Sequence, residues 1–265
     1  MDLLSYGFFW KALLAGMAFG FSAAPIGLFL IVRRDSLLPH ALTHIAFTGV
    51  ALGLLLKGTP LLPALIITVL SAFVVLEIRE RSGVYEDTAV GILASLGLAL
   101  AIVLASRAEN YDVRLLTYLF GNILVLNEKE ALLSGAICLL VLGVLYKLGE
   151  ALFFISFDEE SARTSGLPVK GLKLLLSVVV AVLVVLGMKM VGLLLVSALM
   201  VIPGASALEL ARSLRQSLFL SALFGGLSVA GGLVISAALN LPPSGAIVLF
   251  SGGLFFLSLG LRRLK

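Results

Sequence analysis

Two histidines make up the whole imidazole complement of this 265-residue chain, and they stand four residues apart, at His40 and His44. On a helix that spacing puts both rings on one face about one turn apart, so they can aim at a common centre. Such a pair can hold a divalent cation or pass a proton. Thr43 and Thr48 lie near the same face and are candidate pathway hydroxyls. The structural alternative is a histidine at headgroup level, or one bonded to a neighbouring carbonyl. The surrounding sequence reads as a membrane span, where polar side chains turn toward a partner, a cavity or a substrate path.

Other chemistry is missing from the sequence. No stretch matches G-x-x-x-x-G-K-[ST], so the chain does not bind and split ATP by that route, and ATP-driven work requires a second subunit. An intramembrane metalloprotease places a Glu beside the first His of H-E-x-x-H as general base, and here that position is Ala41. Two histidines without that base can hold a cation but cannot activate water, and no catalytic residue is assigned. The single cysteine, Cys138, lies in an apolar run and reads as a small buried hydrophobe.

The elements that position the pair follow from composition. With 60% hydrophobic and 13% charged residues, against about 25% charged in a soluble chain, this is an all-α polytopic membrane protein with no room for a separate water-soluble domain. Cuts at charges, prolines, glycines and polar breaks give nine candidate spans: 8–32, 38–56, 60–77, 87–106, 130–148, 171–188, 190–210, 216–238 and 243–261. The weakest cut is at Lys189, and merging across it leaves eight. With the N-terminus outside, nine spans place thirteen of the nineteen basic residues inside, including Arg33, Arg34, Arg79, Arg262 and Arg263. The positive-inside rule therefore favours nine spans with the C-terminus inside. The net charge of +4 is spent on topology at span ends and implies no nucleic-acid partner. The first apolar run, without a small-residue cleavage site, is expected to be a retained span.

Two connections exceed a simple turn. Residues 107–129 suit a short helix or re-entrant segment on the outer side. Residues 157–168 suit a short inside helix with Asp158 as N-cap and Gly166-Leu167-Pro168 as its stop, serving as an amphipathic connector or a docking element. Gly16 and Gly20, Gly49 and Gly53, and the pairs Gly225-Gly226, Gly231-Gly232 and Gly252-Gly253 are expected to let spans approach closely. Pro25, Pro203 and Pro242-Pro243 are expected to break or start helices. Glu209, Met188, Met190 and Met200 are read as later contacts on a pathway or as packing.

The second span, Ser36-Leu37-Leu38-Pro39-His40-Ala41-Leu42-Thr43-His44-Ile45-Ala46-Phe47-Thr48-Gly49, resembles the S-L-x-G-D-A-L-S-H-A-x-L-P-G segment of the ABC-3 family, the permeases of zinc, manganese and iron importers. Further similarities run in register: Glu86-Asp87 before Val90-Gly91-Ile92-Leu93, Tyr118-Leu119-Phe120-Gly121, Phe157-Asp158 leading to Ala162 and Gly166, and Val191-Gly192-Leu193-Leu194 through Val201-Ile202-Pro203-Gly204. The resemblance implies a type II importer fold, with residues 1–265 as one permease domain in a bacterial or archaeal plasma membrane. It implies a homodimer over two ATP-binding subunits, fed by an extracytoplasmic metal-binding protein. Phe157, Asp158, Glu159, Ala162 and Gly166 would belong to the element that couples to the ATPase. The family's metal contacts carry over onto His40 and His44. The departures include Pro39 for Gly, His40 for Asp, Thr43 for Ser and Thr48 for Pro. A carboxylate has given way to an imidazole, which tilts the expected cargo from manganese toward Zn2+. That ion would be transported, with no cofactor bound permanently. The competing readings are a proton-coupled secondary carrier using the histidines as a relay, and an ABC permease for a metal chelate such as a siderophore or cobalamin.

Overall fold

A chain this apolar must satisfy its backbone N–H and C=O groups internally, and its runs of Leu, Val and Ala do so as helices. The computed structural model describes residues 7–81, 86–107, 118–119, 121 and 128–263. Among them are ten helices: α1 (Gly7–Val32), α2 (Leu38–Leu55), α3 (Leu61–Arg81), α4 (Glu86–Ala105), α5 (Glu128–Phe157), α6 (Glu159–Thr164), α7 (Val169–Met190), α8 (Leu193–Leu210), α9 (Leu214–Leu239) and α10 (Pro243–Arg263). The spans α1, α2 and α7 are mostly buried, while α3, α4, α5 and α10 show most of their surface to the surroundings. On one side α2 packs on α3, α4 and α7, and on the other α1 packs on α5, α8 and α9, with α10 laid against α8 and α9. The helix carrying the histidines is thus held from several sides.

Eight of these helices are long and apolar enough to cross a membrane, and α8 contributes a shorter apolar stretch, Leu195–Leu210. The division at Lys189 is real. Helix α7 stops at Met190, and α8 begins after Gly192, whose φ of +91° belongs to glycine. A Cβ at Gly121, itself at φ +66°, would collide with the Val191–Gly192 peptide. This brings the Tyr118–Gly121 segment against the α7–α8 break, so the long connection and that break lie at the same end of the bundle. Residues 108–117, 120 and 122–127 of the connection lie outside the described residues, as do the side chains of Glu86 and Asp87.

The opposite end is tied by ion pairs between separate elements: Asp35 with Arg79, Glu77 with Lys170, Glu159 with Lys173, Glu150 with Arg215 and Glu209 with Arg262. Helix α8 therefore runs from one end back to the other although it is only 18 residues, about 27 Å. Gly7 and Arg263 consequently lie at opposite ends.

Three expectations are corrected. The fifth helix continues past 148 to Phe157, 30 residues in all. No Pro interrupts it, and the charges at Lys147 and Glu150 sit on its exposed face without ending it. Pro25 and Pro203 lie inside α1 and α8 and end neither, whereas Pro243 does open α10. Gly252 and Gly253 face open space instead of a neighbouring helix, in contrast to Gly20, where a Cβ would sit 2.5 Å from the Gly225 carbonyl oxygen.

Candidate metal site

Helix α2 starts without a side-chain cap, and Pro39 in its first turn is compatible with the lack of a donor there. Burial then isolates the histidines. Of the residues from Leu38 to Ala51, all are buried except His40, which is exposed, and His44, which is half-buried. One strip of an otherwise enclosed helix is open, and the imidazoles occupy it.

The two rings meet edge to face, their centroids 4.7 Å apart. His44 Nε2 lies 3.2 Å from His40 Nε2. Two imidazole nitrogens bound to one tetrahedral zinc, each at about 2.0–2.1 Å, are separated by about 3.3 Å, so the pair is already spaced for a shared ion. Two facing lone pairs repel unless a proton or a cation lies between them. The alternatives are thus an N–H···N hydrogen bond or joint ligation. His44 Nδ1 is buried without a hydrogen-bond partner. A ligating histidine usually donates from its other nitrogen to a fixed acceptor, and here that support is missing.

The remaining candidates are placed elsewhere. Thr43 is buried and donates to the His40 carbonyl at 2.6 Å, and Thr48 donates to the Gly97 carbonyl of α4 at 2.5 Å. Both hydroxyl protons are committed to backbone acceptors. Glu209 accepts from Arg262 at 2.6 Å and bolts α8 to α10. Met188, Met190 and Met200 are fully buried packing residues. Among the described residues no group of three or more His, Cys, Asp or Glu side chains is assembled for a metal. Among the described residues of one chain, therefore, two imidazoles converge and no third such ligand joins them. Gly97 was not singled out from sequence, because its carbonyl matters only through the α2–α4 contact.

The ABC 3 transport family profile matches residues 5–262. The chain belongs to this family. It is 31% identical over 248 residues to the high-affinity zinc uptake system membrane protein ZnuB of Haemophilus influenzae, covering 94% of this chain and 95% of that one. It is 32% identical over 257 residues to the manganese transport system membrane protein MntC of Halalkalibacterium halodurans, covering 97% and 88%. Among solved structures, PsaBC from Streptococcus pneumoniae in complex with Fab matches at a TM-score of 0.86 and 32% identity, over 97% of this chain and 92% of that one. The ABC-3 membership makes this a multi-pass membrane permease, in keeping with eight helices long and apolar enough to cross a membrane.

The short helix of this ABC-3 chain forms as its sequence indicates. Asp158 accepts from the Ser161 amide at 3.0 Å and from its hydroxyl at 2.6 Å, and Gly166 turns the chain out of the helix at φ +82°. Ala162 is buried beneath it, Phe157 is exposed and stacks on Phe153, and Glu159 holds Arg163 at 3.0 Å and Lys173 at 2.5 Å. The bonds from Ser161 hold the Asp158 carboxyl below its ordinary pKa. Because the folded value is depressed, the cap stabilises above the unfolded pKa of about 3.9 and is lost as pH falls through the folded value. Asp158→Ala is expected to speed amide exchange across Ser161–Ser165 at neutral pH, whereas Asp158→Asn keeps protection and removes its acid dependence. Hydrogen exchange at several pH values measures both.

Proposed function

We propose that this chain is the permease subunit of an ATP-driven importer of divalent transition-metal ions, with His40 and His44 as a transit site for the ion. The observation that carries this is the open imidazole strip on a buried helix, with two Nε2 atoms at 3.2 Å. The zinc and manganese systems named among its relatives support the cargo class. Replacing the family's carboxylate by His40 favours Zn2+ over manganese, since imidazole suits zinc and oxygen ligands suit manganese.

In this reading the chain works as a pair, and the open strips of two copies face each other across a central passage. Four imidazoles then complete the tetrahedral set that one copy half supplies. The ion-paired end lies in the cytoplasm, where positive charge is retained. There α6 docks on a separate ATP-binding subunit, and an extracytoplasmic metal-binding protein delivers the ion at the other end.

The test is reconstitution in vesicles, with and without the ATPase subunits and the binding protein. Zinc uptake is expected only from the full assembly with ATP, and it should saturate at lower ion concentrations than manganese uptake. Zinc movement by the chain alone, driven by a proton gradient, would overturn the assignment in favour of a secondary carrier.

A further inference from the structure

Asp35 and Arg79 form a buried ion pair, 3% and 8% exposed, with Nη1 2.6 Å from Oδ1. Asp35 lies in the turn between α1 and α2. Its amide donates to the Leu30 carbonyl at 2.7 Å, and its own carbonyl accepts from Leu38, the first residue of α2, at 3.0 Å. Its carboxylate thus grips α3 while its backbone joins the end of α1 to the start of the histidine helix. Arg33 adds a second, longer contact to the same carboxylate at 3.4 Å.

On the other side, α3 packs along α7. Two residues before Arg79, Glu77 reaches Lys170 of α7 at 3.4 Å. One turn further along α7, Lys173 reaches Glu159 of α6 at 2.5 Å. A contiguous series of contacts therefore leads from α6 through α7 and α3 to Asp35, five residues before His40. Exposed pairs such as Glu77–Lys170 contribute little energy and are easily remade. The Asp35–Arg79 contact is different, because separating its partners strands a charge away from water.

The geometry points to Arg79 and Asp35 as positioning residues that link movement of the α6 end to the start of the histidine helix. They do not touch the ion. Their role is to make α2 follow α3 as a rigid unit, so that a displacement arriving at α6 changes the spacing or orientation of His40 and His44. This inference rests on the permease reading above and adds to it the element that communicates with the ion site.

Contact continuity is not itself coupling, so the experiment measures coupling directly. The permease is assembled with its ATPase subunits in vesicles as wild type, Arg79→Gln, Asp35→Asn, the double variant and His44→Ala. Readouts are zinc binding, basal ATPase, zinc-stimulated ATPase and zinc uptake. Arg79→Gln and Asp35→Asn are expected to keep zinc binding and basal ATPase while losing about tenfold or more of zinc-stimulated ATPase and uptake. The double variant, which leaves neither charge stranded and so preserves folding if a single variant does not, should lose no more than either single. Wild-type stimulation in the double variant, or a double loss equal to the product of the single losses, overturns the inference. So does loss of zinc binding in step with uptake, which would make the pair merely structural. His44→Ala separates the two levels: normal uptake in that variant refutes the transit site itself, whatever Arg79 does.

Discussion

Replacing His44 with alanine is expected to abolish zinc uptake by the assembled transporter while leaving the permease folded and bound to its ATPase. The site holds two converging imidazoles, and removing one leaves a single nitrogen to hold the ion. Loss of an outer-shell partner already costs a metal site 10- to 100-fold in affinity, so loss of a direct ligand should exceed about a hundredfold. Folding should survive, since the His44 ring is hydrogen-bonded only to His40 and lies on the open strip of α2. His40→Asp is the informative partner. It restores the carboxylate of the family segment, so uptake should persist with preference moved from zinc toward manganese. Isotope uptake and direct metal titration of the purified permease measure both, and undiminished uptake by His44→Ala removes the pair from the path.

The largest loss of stability is expected at Gly27, where α1 crosses α8. A Cβ there would lie 2.5 Å from the Met200 carbonyl carbon and closer still to its oxygen. Backbone cannot swing aside as a flexible side chain can, so Gly27→Val must push two core helices apart. Leu28, Phe29, Leu199 and Met200 are all fully buried around this crossing. Lipid tails are as apolar as the side chains, so helix association in a bilayer depends on this close packing. A loss above about 4 kcal/mol, at the extreme of single substitutions, is expected. Gly252→Val is the control, because nothing lies within 4 Å of the added Cβ. Thermal unfolding and size-exclusion profiles in detergent should show no monodisperse Gly27→Val and near-normal Gly252→Val, and normal behaviour of Gly27→Val would refute the crossing.

Local features were legible in the sequence where one segment determines them. The Asp158 cap and the Gly166 stop depend on residues three to eight apart, and both formed as read. The convergence of His40 and His44 follows from helical spacing alone. The cut at Lys189 was weak on hydropathy, because one charge barely interrupts the run, and the residue that breaks the helix is Gly192. What sequence could not show depends on partners far along the chain. Thr48 was placed among pathway residues, yet its proton goes to the Gly97 carbonyl, 49 positions away. Glu209 reads from sequence as a pathway contact or as packing, and only the fold brings Arg262 of α10 to it. Glycine pairs read alike in sequence, but Gly20 meets a helix and Gly252 does not. Burial of thirteen neighbours in α2 is likewise a tertiary property, and it is what turns a two-histidine spacing into an exposed strip.

Helix α5 has 30 residues, about 45 Å, against roughly 30 Å of hydrocarbon. Its apolar stretch, Ser134–Phe157, runs to the very end of the helix, so the α5 span passes straight into the Asp158 cap of α6. In the proposed assembly, an ATP-binding subunit docked on α6 would therefore pull directly on the end of a membrane span. Shortening α5 by whole turns is then expected to alter what reaches the bundle from α6 while leaving His40 and His44 in place.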